Sequence, residues 1–149
     1  MSKILNLIFV LVSCFVSQSV FSESKALCSE LSNFANSIEP NSKHSVKFAS
    51  NWSKMKRSCE HHSYKPGMKL CLWMMQNNSG EFMEYNVASV MSCLGSPSYL
   101  KAKNSMLNNA TGNLVIFEID GIKDSVSIEL EYSVRQTAES SITITAESE

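Results

Sequence analysis

Val126, Ile128, Leu130, Tyr132 and Val134 alternate without a fault against Ser127, Glu129, Glu131 and Ser133. Successive side chains of a strand point to opposite faces, so a period of two predicts a strand with one buried face and one wet face. Such a strand needs sheet neighbours and a cover for its inner face. Leu114 to Asp120 supplies one neighbour, with turns at Asp120-Gly121 and Lys123-Asp124. Ile142, Ile144 and Ala146 alternate with Thr143 and Thr145 and predict a third strand. The three make an antiparallel meander. Val46, Phe48, Ser50 and Trp52, alternating with Lys47, Ala49 and Asn51, predict a further short strand that joins it.

The cover comes from the preceding residues. Leu27, Leu31, Phe34, Ala35 and Ile38 share one helical face between Ser24 and Ile38, with Cys28 on its edge, and Glu39-Pro40-Asn41-Ser42 ends the helix. Pro66 suits a helical first turn, and Met68, Cys71, Leu72 and Met75 continue one face; Trp73 and Met74 make the helix apolar on other sides, which predicts a central position. Asn78-Ser79-Gly80-Glu81 has capping-box spacing before a third helix that carries Met83, Val87, Val90, Met91 and Leu94 inward. Gly95 suits a left-handed cap, and Pro97 seals the stop. These two helices are expected to form a hairpin. Tyr99 to Asn109 allows one short helix, and Lys54 to Lys69 reads as a polar connector. The fold class expected is α+β: about three helices with one short strand, then the meander, without internal repeat or second domain.

Residues 1–22 contain no acid and one base, Lys3, before an apolar run from Ile4 to Val16. This predicts a secretory signal peptide cut after Ser22, since about 13 apolar residues are too few to span a bilayer. Leu11-Val12-Ser13-Cys14 also resembles a lipobox, which would instead put a lipid anchor on Cys14. Residues 23–149 are then expected as one exported domain, periplasmic or secreted. It keeps 12 bases, 14 acids and four cysteines.

Four cysteines in an exported chain read as two disulfides. If the second and third helices form a hairpin turned at Asn77–Gly80, Cys71 lies six residues from the turn and Cys93 thirteen. That mismatch is about 10 Å along the axis, whereas a bridge tolerates Cα separations of about 4.4–6.8 Å. Two pairings remain: Cys28–Cys93 with Cys59–Cys71, or Cys28–Cys71 with Cys59–Cys93. The first is favoured, because Cys59 ends a connector leading straight to Cys71.

With 18% charged residues, 5 Gly and 3 Pro, the composition excludes a collagen-like repeat, a low-complexity chain and a strongly basic nucleic-acid binder. No G-x-S-x-G, H-E-x-x-H or phosphate loop is present. A nucleophile from Cys59 or Cys71 with His61 or His62 would need an unpaired thiol, so catalysis is not expected. His61, His62 and Met68, with His44 and Met55 near in sequence, offer imidazole and thioether ligands for copper or zinc, against which stands a plain polar loop.

Charge is more informative. Residues 43–69 hold seven bases and one acid, and residues 113–149 hold two bases and eight acids. Glu118, Asp120, Glu129 and Glu131 are expected to share the wet face of the meander, where they could steer and bind a basic partner. The function expected is therefore an exported disulfide-containing binding module, of inhibitor or immunity type, acting on a basic hydrolase or toxin. It needs no cofactor, nucleic acid or membrane span. The alternative is a metal-handling protein using His61, His62 and Met68. The sequons at Asn51, Asn77 and Asn109 matter only in a eukaryotic host.

Overall fold

The computed structural model describes residues 18–95, 110–135 and 138–149, with side chains from Lys25 onward. The chain is α+β, and the described residues form three helices, a five-stranded antiparallel sheet and two disulfides. Its elements run α1 (Gln18–Asn36), β1 (Lys43–Asn51), β2 (Lys56–Glu60), α2 (Lys65–Asn77), α3 (Met83–Cys93), β3 (Thr111–Ile116), β4 (Val126–Ser133) and β5 (Ser140–Ser148). The sheet order is β2-β1-β5-β4-β3. The meander β3-β4-β5 is as the alternation implies, and β1 joins it on β5, with Phe48 opposite Ile142 and Val46 opposite Ile144. The proposed cleavage point after Ser22 falls within α1. Cys14, Pro97 and the stretch 99–109 lie outside the described residues.

Three sequence expectations are corrected. The connector contains β2, which pairs along β1 from Lys47–Glu60 to Asn51–Lys56. The hairpin between them turns through Trp52–Lys54, where the Asn51 side chain accepts from the Lys54 N–H. Second, α2 and α3 do not pack as a hairpin; α1 is the principal helical neighbour of both. Third, α2 is covered on one side only. Gly67, Leu70, Cys71 and Met74 are buried, whereas Met68 and Leu72 stand in solvent. Gly67 presses α2 onto β1 so closely that a Cβ there would lie 3.1 Å from Val46 Cγ2.

The turn before α3 also uses different chemistry from a capping box. Asn78 ends α2, its N–H donating to the Met74 carbonyl, and α3 begins after Phe82 without a side-chain cap. Ser79 Oγ accepts from the N–H groups of Glu81 and Phe82. Buried Asn86 clamps Ser79 from the following helix: it accepts from the Ser79 N–H at 3.0 Å and donates to its carbonyl at 2.7 Å. Removing one partner leaves polar backbone unsatisfied, so Asn86→Ala should cost about 2 kcal/mol in urea unfolding. A loss below about 0.5 kcal/mol would show that water replaces the clamp. Gly95 does end α3 in the left-handed region, at φ 73°.

Helices and sheet enclose one core of Leu27, Leu31, Phe34, Phe48, Leu70, Met74, Val87, Leu130, Ile142 and Ile144, among others. Cys28–Cys93 ties α1 to the end of α3, and Cys59–Cys71 ties β2 to α2, with Cα separations of 4.9 and 5.6 Å. At its far end α1 is fixed by Asn36, which donates to the Gly121 carbonyl and accepts from the Lys123 N–H.

Candidate functional site

The helices cover one face of the sheet, and alternation hands the other face to polar side chains. In register, its rows read Lys43–Glu147–Ser127, Ser45–Thr145–Glu129–Val115 and Lys47–Thr143–Glu131–Asn113. Three carboxylates, Glu129, Glu131 and Glu147, therefore share β4 and β5; Glu147 stands directly opposite Lys43, and Thr143 separates Glu131 from Lys47.

These charges are partly engaged. Lys43 Nζ lies 2.8 Å from Glu147 and 4.0 Å from Glu129. The Lys43 ammonium is held above the usual lysine pKa, first by its hydrogen bond to Glu147 and that carboxylate's charge, and further by Glu129 and Glu131. Asn113 donates to Glu129 Oε1 at 2.8 Å. Glu129 is thus fixed from two sides at the centre of the face, whereas Glu131 is exposed.

Glu118 and Asp120 do not join them, which corrects the expectation of a continuous strand to Asp120. β3 ends at Ile116, Glu118 turns into the left-handed region at φ 54°, and Ile119 swings into the core. Both acids fall in the β3–β4 loop, where they line a shallow cavity of about 340 Å³ with Leu94, Gly95 and residues 114–117. Lys43, Asn113 and Glu147 are the members that sequence reasoning missed. The β5 alternation carried the signal for Glu147, because Ile142, Ile144 and Ala146 inward put it outward.

The cysteine–histidine nucleophile has no thiol to use, because Cys59 and Cys71 are bonded to each other. His61 is half-buried with Nδ1 unpaired, His62 is exposed in a left-handed turn, and Met68 is exposed on α2. Among the described residues, no three His, Cys, Asp or Glu side chains gather as a metal site. His44 instead stacks on Tyr64 at 3.8 Å, and the Tyr64 ring meets Phe34 edge-on. Burial, with the Glu39 charge second, pushes the Tyr64 phenol above its ordinary pKa, so this ring packs in its neutral form at physiological pH. No helix among the described residues is long and apolar enough to cross a membrane. Compared with protein-family models, curated proteins and solved structures, the chain matches none.

Proposed function

We propose that this chain is an exported, disulfide-stapled binding module that holds a basic protein, such as a hydrolase or toxin, against the open face of its sheet. The observation that carries this reading is the placement of Glu129, Glu131 and Glu147 together on a sheet face that none of the described helices covers. A sheet positions carboxylates without the entropy loss that long loops incur, which favours recognition over a merely solvated surface. Glu118 and Asp120 lie on the neighbouring loop and extend the negative potential without sharing the face.

The test is the double variant Glu129→Lys with Glu131→Lys, compared with the unaltered protein in co-purification and native mass spectrometry from the producing cells. It should lose the partner, by at least about tenfold in affinity, while keeping its circular dichroism and melting point; charge reversal at an interface is penalised by both lost attraction and new repulsion. Unchanged partner binding sinks the proposed surface. Saturable Cu(I) or Zn²⁺ binding by the bare chain, lost on His61→Ala with His62→Ala, would transfer the assignment to the metal-handling alternative.

A further inference from the structure

The tip of the β1–β2 hairpin has features that neither folding nor the acidic face explains. Trp52 is 52% exposed and Met55 83% exposed. Lys54, Lys56 and Arg57 accompany them, also exposed, and residues 43–57 contain five bases and no acid. The tip is held in shape rather than left loose. Asn51 Oδ1 accepts from Ser53 Oγ and from the Lys54 N–H, and the Met55 N–H donates to the Trp52 carbonyl. From below, Ser50 donates to the Gly80 carbonyl and Arg57 to the Asn78 carbonyl, anchoring the hairpin on the α2–α3 loop.

Met55 adopts φ 49° and ψ 36°, a left-handed conformation in which glycine is preferred over any branched or long side chain. A methionine at this position strains the turn and projects an apolar side chain into water, and such an outlier directs attention to function. The tip is convex, so a protein partner would need a pocket to receive it. A bilayer interface accepts a convex tip directly: indole sits at headgroup level, thioether reaches the acyl boundary, and lysines meet anionic headgroups. Phe82, just before α3, and Tyr85, in its first turn, form an exposed edge-on pair, but Glu81 and Glu84 beside them oppose an anionic surface.

We propose that the segment Trp52–Arg57 docks this protein onto the surface of a bilayer containing anionic phospholipid. The inference does not depend on the acidic face, which lies on β5 and β4, two and three strands from β2. Docking by this tip would leave that face free.

The protein, recovered oxidised from an exporting bacterial host, is mixed with vesicles of phosphatidylcholine alone or with an equal share of phosphatidylglycerol. Sedimentation reads binding, and Trp73→Phe leaves Trp52 as the single tryptophan reporter. Expected are co-sedimentation and a blue-shifted Trp52 emission with the anionic vesicles only, both reversed by salt. Each cation near such a surface strengthens binding about fivefold, so Lys54→Gln with Lys56→Gln should weaken it about 30-fold. Met55→Gly should weaken it as well while leaving the melting point unchanged or raised, because glycine relieves the turn. A silent Trp52, equal binding to phosphatidylcholine alone, or undiminished binding by the lysine variant overturns the proposal. So does a Trp52 response to a single-stranded oligonucleotide without one to vesicles, which would reassign the tip to a polyanion. If Trp73→Phe fails to fold, sedimentation of the unsubstituted protein and the lysine variant decides alone.

Discussion

Replacing Cys28 and Cys93 together by serine should cost about 4 kcal/mol of folding stability, the larger loss of the two disulfides. The bridge closes a loop with a sequence separation of 65, against 12 for Cys59–Cys71. Chain-entropy scaling gives about 4 kcal/mol for the first and about 3 kcal/mol for the second, because longer loops restrict the unfolded chain more. A domain of this kind has about 5–15 kcal/mol in total, so the loss takes a large share. The structural consequence points the same way. Cys28–Cys93 joins the middle of α1 to the end of α3, so without it α3 keeps its buried stripe and the Asn86 clamp at its start, while Cys59–Cys71 braces elements already adjacent through β1. Urea unfolding of the two serine pairs beside the oxidised protein reads both losses. If the Cys59/Cys71 pair proves the more damaging, native strain or residual unfolded structure outweighs loop length.

Phe48→Ala should cost about 4 kcal/mol, the level reached when a fully buried aromatic side chain leaves a cavity its neighbours cannot fill. Phe48 is wholly buried, with Cys59 opposite it on β2 and Ile142 opposite it on β5. Neither neighbour is free to relax. Cys59 is bonded to Cys71, and Ile142 lies in the central strand of the sheet. Phe117, 66% exposed, is the matched control, and Phe117→Ala should change stability by no more than about 0.5 kcal/mol. Denaturant midpoints compare the two. A Phe48→Ala loss below about 1.5 kcal/mol would mean that this corner of the core collapses onto the gap.

The meander was legible in the sequence because one-sided burial writes itself as alternation, and Val126–Val134 and Ile142–Ala146 have few exceptions to it. β2 was not, because Lys56-Arg57-Ser58-Cys59-Glu60 sends only Cys59 and Arg57 toward the helical side; a charged edge strand resists unwanted pairing and reads as a loop for the same reason. Helix ends were readable from Pro66 and Gly95, but ends do not say which helices touch. The placement of α1 beside both α2 and α3 is a tertiary fact with no local signal. The favoured cysteine pairing is the one the structure contains, although the hairpin that excluded Cys71–Cys93 is not. At the site, the sequence indicated which face was wet but not where β3 stopped, because the left-handed turn at Glu118 falls on a residue type without a preference for it. Asn36 and Asn86 were equally silent, since an asparagine clamp spanning 87 or 7 residues has no recurring spacing.

The innermost strand of the sheet, β5, comes last in the chain, and its partner β1 begins about a hundred residues earlier. Before Ser140 begins β5, the described hairpins β1-β2 and β3-β4 share no ladder, and the shared one is complete only at Ser148. Closing the sheet needs contacts of high sequence separation, which form slowly. In a chain arranged this way the strand that joins the two hairpins is the last of the described strands to be made, so the full ladder cannot close before it.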